Sequence, residues 1–291
     1  MKDIVDTTAL SRTGSWVLSV ALATAAAILL VTPTSAFQAG ATKAGKAGGQ
    51  KGAVKATQKA APVAAADPKP GDVKVNRIDG QRYIWIPPGK FRSGCSVGDP
   101  DCFEDEFPTR EITLTKGFWL GETEVTQAAY DKLVDYDPSL FHGPNLPVEQ
   151  VTGDEAEDFC GRIGGRLPSE AEWEFAARGG TTGARYGKLD EIAWYWKNSS
   201  ENFSTHPVKL KKPNAFGLYD MLGNVVEWTH TWYTVQHSQE DINPTGPSTA
   251  EYKSLRGGGW WDDPELVRVS YRRHFLPEDY DYNIGFRCVS Q

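Results

Sequence analysis

Alternation of apolar and polar positions predicts that the folded part of the chain opens with short strands. Val75–Ile78 and Tyr83–Ile86 flank Asp79–Gly80, a dipeptide typical of two-residue hairpin turns. Four further strands are predicted in the second half, near residues 226–229, 252–256, 269–274 and 284–289. The same pattern continues along the first half at 90–93, 110–116 and 118–120.

Helical periodicity is confined to the first half. A helix is predicted over Gln127–Val134 with Thr126 as its cap. Two more begin at capping boxes, one running from Thr152 to about residue 163 and one over Glu170–Arg178, and each stops at a pair of glycines. Because the helices come first and the glycine turns later, the order favours an α+β fold over a series of βαβ units.

Asn214–Thr229 combines turn residues with large apolar residues. Gly223 and Asn224 permit backbone turns, but the apolar residues around them predict that this loop is buried. Asp220 and Glu227 add two carboxylates, and carboxylate and carbonyl oxygens are the ligands that Ca²⁺ takes. The alternative interpretation is that Asp220 caps a turn and Glu227 pairs with a buried arginine.

The N-terminal residues predict export rather than a folded domain. Residues 1–36 contain flanking basic residues, an apolar run at 16–31 and small residues at 34–36, which is typical of a signal peptide, although an uncleaved N-terminal anchor is an alternative. Residues 37–73 are rich in Ala, Gly and Lys and are predicted to be a flexible linker. A single domain is predicted over residues 74–291, in the periplasm or secreted, with the N-terminal segment as a possible membrane tether.

Charge is divided unevenly between the linker and the domain. The chain has 31 Lys and Arg and 38 Asp and Glu, of which 8 basic and 4 acidic residues precede residue 74. The predicted domain therefore has a net charge of −11. An acidic domain argues against nucleic acid as a partner.

All four cysteines lie in the predicted domain. An even number of cysteines in an exported chain predicts two disulfides, most simply Cys95–Cys102 and Cys160–Cys288, with free buried thiols as the alternative. The second pair closes a long loop, which the chain-entropy model values at up to roughly 5 kcal/mol.

Familiar catalytic motifs are absent from the sequence. There is no G-x-x-x-x-G-K-[ST], G-x-S-x-G, H-E-x-x-H or C-x-x-C, and the five histidines show no helical pairing. These absences argue against a common hydrolase, a Rossmann oxidoreductase or a metal site built from histidines.

Candidate cleft residues cluster near the C-terminus. Three glycines precede Trp260 and Trp261, which point to opposite sides if the chain is extended, so that one packs in the core and the other lines a cleft. The polar candidates around them are Asp262, Arg273, His274 and Glu227. In the alternative interpretation the arginines are structural partners of buried acids, with Arg256, Arg273 and Arg287 facing Glu172, Glu174 and Glu227.

Several blocks resemble one enzyme family. Gly165–Gly180, Asn214–Thr229, Leu255–Gly258 and Ile284–Arg287 resemble the formylglycine-generating enzyme, or sulfatase-modifying factor, family over about residues 79–289. The resemblance implies a fold low in regular secondary structure and related to C-type lectins, and a Cys160–Cys288 disulfide. It also implies a structural calcium bound by the side chains of Asp220 and Glu227 and the carbonyls of Gly223 and Val225.

The chain departs from this family at the catalytic cysteines. The family oxidase uses two cysteines to bind copper(I) and oxidise a substrate cysteine, and thiolate is the ligand that copper(I) selects. Here Asp262 stands at the first cysteine position, Val267 falls near the second, and Gly259 replaces a serine. Neither copper nor formylglycine formation is therefore expected.

Two hypotheses follow from this departure. One is an exported peptide- or protein-modifying oxidoreductase of altered chemistry, and the other is a non-catalytic binding or assembly module, each with a protein or peptide partner in the cell envelope. A cleft in which Asp262 and His274 converge would favour the enzyme. Aromatic side chains exposed on a shallow face would favour the binding module.

Overall fold

The computed structural model describes residues 68–199, 203–236 and 240–290. The predicted signal and nearly all of the predicted linker lie outside the described residues. Within the part that is described, no helix has both the length and the apolar character needed to cross a membrane.

The first sheet joins the two ends of the domain. It contains β1 (Val73–Val75), β2 (Arg82–Ile86), β5 (Phe118–Gly121), β6 (Gly165–Arg166) and β11 (Val289–Ser290), and its order is β1-β2-β5-β11-β6 with antiparallel neighbours.

The predicted first hairpin is present, but its predicted turn is wrong. Val75 pairs with Arg82, which leaves a six-residue loop in place of a two-residue turn. The cause is Asp79, whose buried carboxylate accepts hydrogen bonds from the Gln81 N–H at 2.8 Å and the Tyr83 hydroxyl at 2.6 Å. The Asp79 side chain thus stabilises a wider loop through its hydrogen bonds to Gln81 and Tyr83.

The other strands form two smaller sheets. β3 (Gly89–Ser93) and β4 (Arg110–Leu114) form an antiparallel pair. β7 (Val226–Trp232), β8 (Lys253–Arg256), β9 (Arg272–Phe275) and β10 (Ile284–Gly285) form a sheet of order β10-β7-β8-β9, in which only the β10–β7 pair is parallel. The predicted strand at 284–289 is therefore divided between β10 and β11.

The helices begin where the sequence predicts. Side chains of Thr126, Thr152 and Ser169 cap the first three helices, each accepting a backbone N–H three residues on. The first helix is shorter than predicted, because it continues toward Val134 as hydrogen-bonded turns. The described helices are α1 (Gln127–Tyr130), α2 (Gly153–Arg162), α3 (Glu170–Arg178), α4 (Leu189–Ile192) and α5 (Trp196–Ser199), of which the last two were not predicted.

Two apolar clusters form the core. Trp173 on α3 is fully buried in the first cluster, together with Leu218 and Leu222 from the predicted buried loop. Trp228 on β7 and Phe159 on α2 are buried in the second. The prediction that the turn-rich loop is buried is thus confirmed.

Both predicted disulfides are present. Cys160 on α2 is bonded to Cys288, and Cys95 is bonded to Cys102, so all four cysteines of the chain are disulfide-bonded. Two disulfides indicate an oxidising environment outside the cytoplasm.

Buried arginine–carboxylate pairs hold the long loops. Breaking such a pair on one side costs about 3–5 kcal/mol, because a charge is left buried without its partner. The mixture of short helices with largely antiparallel sheets confirms the predicted α+β class. The pairs are Arg178–Glu174, Arg256–Glu174, Arg268–Glu106, Arg272–Glu170 and Arg287–Glu227, with nitrogen–oxygen distances of 2.6–2.8 Å.

Candidate functional site

The loop that leaves β8 places the predicted cleft residues. Gly257 and Gly258 have φ angles of +100° and +72°, and a Cβ on Gly258 would lie 2.9 Å from the Leu266 carbonyl oxygen. Glycine is therefore needed where this loop turns against the chain that follows it. The Trp260 N–H then donates to the Asn224 carbonyl at 2.8 Å, which ties the loop to the buried stretch 214–229.

Asp262 is buried and fully engaged. Its Oδ1 accepts a hydrogen bond from the Arg273 guanidinium at 2.6 Å, and its Oδ2 accepts the Gly259 N–H at 2.8 Å. The Asp262 carbonyl accepts the Trp196 N–H at 3.0 Å, which attaches α5 to this loop. Asp262 therefore stabilises the loop between β8 and β9, and neither carboxylate oxygen lacks a partner.

His274 does not join this site, so the sequence-based grouping is wrong for this residue. Successive side chains on a strand point to opposite faces. Arg273 on β9 reaches Asp262, whereas His274 is exposed and stacks on Tyr233, with ring centroids 4.1 Å apart, and meets Tyr252 edge-on at 5.1 Å. The predicted convergence of Asp262 and His274 is absent from the described structure.

Aromatic side chains meet beside this loop. Trp260 is 2% exposed and Trp261 is 43% exposed, so one is buried and the other is not, as predicted. The predicted opposite orientation is wrong, because both residues lie in a turn and their rings meet edge-on with centroids 5.2 Å apart. Trp261 meets Trp196 at a centroid distance of 4.5 Å, and Phe203 is 47% exposed at 5.8 Å from Trp261. We call this set the aromatic surface: Phe141, Trp196, Phe203, Trp260, Trp261 and Tyr282, each within 6 Å of another member.

Glu149 supports one end of the aromatic surface from below. Its Oε1 accepts the Phe141 N–H at 2.9 Å, while Oε2 is buried without a partner in the described structure. Burial raises the pKa of Glu149 to about 7, and the charges of Asp137 and Asp281 contribute to the rise. Sequence reasoning missed this residue, because a single Glu after Pro147-Val148 carries no pattern of its own.

Glu227 pairs with a buried arginine, which is the alternative interpretation offered by the sequence. Arg287 donates to both of its carboxylate oxygens at 2.7 Å, and the Trp173 indole N–H donates to Oε2 at 2.7 Å. All three residues are buried. The Glu227 carboxylate thus accepts three hydrogen bonds and has its charge compensated by Arg287, which does not fit a calcium ligand.

Asp220 differs from Glu227. Its Oδ2 accepts the Lys209 N–H at 2.7 Å, but the buried Oδ1 has no partner among the described residues. Burial raises the pKa of Asp220 to about 6. An orphaned carboxylate oxygen of this kind fits a cation ligand.

A third carboxylate, Glu124, lies in the same buried region. It accepts hydrogen bonds from the Asn224 side chain at 2.8 Å and the Val225 N–H at 3.2 Å. Burial raises its pKa well above the usual range, and the charges of Asp220 and Glu227 raise it further. Within the described ranges, no group of three His, Cys, Asp or Glu residues is arranged to hold a metal ion. Calcium therefore stays a prediction, in which Asp220 fits and Glu227 does not.

Sparse regular elements, glycine-rich buried loops and buried arginine pairs define the class. This is a mixed α+β domain of the kind related to C-type lectins, in which loops carry the site. The family described as "Sulfatase-modifying factor enzyme 1-like domain" matches residues 69–291, and the chain belongs to this family.

Individual relatives agree with this assignment. The formylglycine-generating enzyme of Streptomyces coelicolor is 29% identical, and the match covers 79% of this chain and 95% of that protein. The structure of PvdO from Pseudomonas aeruginosa is 25% identical with a TM-score of 0.71, covering 77% of this chain and all of that one. Treponema denticola variable protein 1 is 26% identical with a TM-score of 0.66, covering 75% and 98%.

Proposed function

We propose that this domain recognises a protein or peptide segment through the aromatic surface and does not form formylglycine. The observation that carries the proposal is the exposure of Trp261, Phe203 and Tyr282, at 43%, 47% and 37%. Phe203 contacts Trp261 directly, and Tyr282 is linked to Trp261 through the ring of Trp260. Large aromatic side chains combine apolar area with low conformational entropy, and they are enriched where proteins bind one another.

Copper chemistry lacks its ligands at this site. Asp262 and Val267 stand near the family's cysteine positions, and the four cysteines of the chain are all disulfide-bonded. A carboxylate paired with Arg273 is a hard ligand without free oxygens, whereas copper(I) selects thiolates. An altered oxidoreductase would need other reacting groups beside Asp262, and His274 lies away from it.

The binding module would act in the periplasm or outside the cell, with a protein or peptide partner in the cell envelope. The two disulfides and the export signal predicted over residues 1–36 support this location. The linker, predicted over residues 37–73, would let the domain reach its partner from a membrane tether. The acidic charge of the domain disfavours nucleic acid as that partner.

Site-specific photo-crosslinking tests this proposal. A photo-reactive residue is placed at Trp261 or at Leu210, an exposed apolar position outside the aromatic surface. After irradiation in the native cell envelope, mass analysis should identify one partner segment that is crosslinked from position 261 and not from position 210. Equal yields from both positions, or none from position 261, would contradict the proposal.

A second assay tests whether the domain can form formylglycine. The purified domain is incubated with copper(I), oxygen and a sulfatase peptide that contains a cysteine. We expect the peptide mass to remain unchanged. Conversion of the cysteine to its aldehyde would overturn the proposal.

A further inference from the structure

β3 has one edge that no described strand covers. Its register with β4 sets Lys90 opposite Thr113 and Arg92 opposite Glu111. The Thr113 N–H donates to the Asp241 carbonyl at 2.7 Å, and the Thr113 carbonyl accepts the Asn243 N–H at 2.9 Å. Both backbone groups of Thr113 thus face away from β3.

This geometry fixes the direction of the backbone groups on β3. Antiparallel strands alternate between hydrogen-bonded and non-hydrogen-bonded pairs, so Lys90–Thr113 and Arg92–Glu111 are both non-hydrogen-bonded pairs. The N–H and C=O of Lys90 and Arg92 therefore point to the open edge. None of these four groups is bonded to another described residue. They form a template for one more strand.

A cleft runs along this open edge. It has a volume of about 190 Å³ and is bounded on its far side by the end of α3 and the loop after it. Phe91 and Phe175 meet within its lining, with ring centroids 5.5 Å apart, and Val97 is 82% exposed beside them. The cleft therefore offers an apolar pocket next to unpaired backbone groups.

The side chains of this edge are basic, although the domain is acidic. Lys90 and Arg92 are both exposed on the same face of β3. Lys90 pairs with Glu111 across the hairpin at 3.1 Å, while the Arg92 guanidinium donates to the Thr109 hydroxyl at 2.6 and 3.0 Å. Among the described residues, no carboxylate pairs with Arg92. Carboxylates on an added strand would complement this edge.

We propose that the open edge of β3 binds an extended acidic peptide segment of a partner protein as an added strand. The peptide backbone pairs with Lys90 and Arg92, its acidic side chains face theirs, and an apolar side chain enters the cleft beside Phe175 and Val97. Charged residues on an edge strand also discourage pairing between copies. Here they select an acidic partner over a second basic edge, and this surface shares no residue with the aromatic surface.

Amide exchange on the full domain tests the proposal with a defined probe. The probe is the blocked pentapeptide Glu-Val-Glu-Val-Glu at millimolar concentration, and NMR follows hydrogen exchange at the amides of Lys90 and Arg92. We expect fast exchange without peptide and several-fold slower exchange with it, while Lys-Val-Lys-Val-Lys has little effect. Slow exchange of both amides before addition, or no protection by the acidic peptide, would overturn the proposal.

Two pairs of controls distinguish strand addition from charge attraction. Two peptides are compared, one N-methylated at the odd-numbered residues and one at the even-numbered residues. Only one of these two sets of N–H groups faces β3, so one peptide should lose its protecting effect and the other should keep it. Arg92→Pro removes a single outward N–H at an edge position where proline is tolerated, while Arg92→Gln keeps it. We expect Arg92→Pro to lose binding and Arg92→Gln to weaken it.

Equal binding by both N-methylated peptides would show that no strand is added. The two N-methylated peptides are tested on the unmodified protein, so this comparison remains valid even if Arg92→Pro does not fold. Trp261→Ala should bind the peptide unchanged, which keeps this result separate from that of the aromatic surface.

Discussion

The substitution Glu149→Gln should change how the stability of the domain depends on pH. The Glu149 carboxyl is buried beneath the loop that carries Phe141, and only its Oε1 has hydrogen-bond partners there. Burial raises the pKa of Glu149 to about 7, from an ordinary value of 4.5. The folded protein therefore holds a proton that the unfolded chain releases at lower pH.

The size and sign of the effect follow from this difference. A group whose pKa is raised on folding contributes full stability below the unfolded pKa and loses it as pH rises through the folded pKa. For Glu149 the stability is lost between pH 4.5, the pKa in the unfolded chain, and about pH 7, the pKa in the folded protein. The free energy of unfolding should fall by roughly 2 kcal/mol by pH 6 and by about 3 kcal/mol by pH 7 on this account. Glutamine cannot titrate, so Glu149→Gln should lack this loss.

Urea denaturation at several pH values measures the difference. We expect the stability of Glu149→Gln relative to the unmodified protein to rise between pH 4.5 and pH 7. Glu278→Gln, at an exposed carboxylate, should instead follow the unmodified protein at every pH. Parallel stability curves for Glu149→Gln and the unmodified protein would refute the assigned titration.

Three further predictions concern the buried charges and the disulfides. Arg287→Met leaves Glu227 buried without its partner and should destabilise the domain by about 3–5 kcal/mol in urea denaturation; a loss below about 1 kcal/mol would contradict the role of the pair. Removing Cys160–Cys288 by double alanine substitution should lower stability by up to roughly 5 kcal/mol, against about 2.5 kcal/mol for Cys95–Cys102, because the first closes the longer loop; equal losses would argue against loop closure as the cause. If calcium binds at Asp220, added Ca²⁺ should raise the melting temperature, a chelator should reverse the rise, and Asp220→Asn should abolish it; identical melting with Ca²⁺ and with chelator would contradict the calcium prediction.

Local signals in the sequence were sufficient for most elements of the fold. The capping residues Thr152 and Ser169 place α2 and α3 correctly, since a cap acts within one helical turn. The turn-rich apolar stretch 214–229 is buried as predicted. The hairpin turn failed because the Asp79 side chain, rather than the backbone preference of Asp79–Gly80, determines the loop.

The candidate site was harder to predict, because its contacts are long-range. Glu124 lies about a hundred residues from the loop whose side chains and N–H groups it contacts, and no local pattern links them. The misplacement of His274 has a different cause. Arg273 and His274 were grouped by their proximity in sequence, whereas adjacent residues on a strand face opposite ways.

The position of Asp262 explains how this loop keeps its shape with an aspartate where the resemblance places a cysteine. The carboxylate accepts hydrogen bonds from Gly259 and Arg273, so it closes the glycine turn on one side and fixes β9 on the other. These contacts hold the loop in which Trp260 is buried and Trp261 is exposed. Under the proposed function, the loop at the position of the family's reactive thiols carries aromatic side chains instead. The proposed binding would then need only the scaffold, whereas oxidation would need thiol ligands at positions where this chain has Asp262 and Val267.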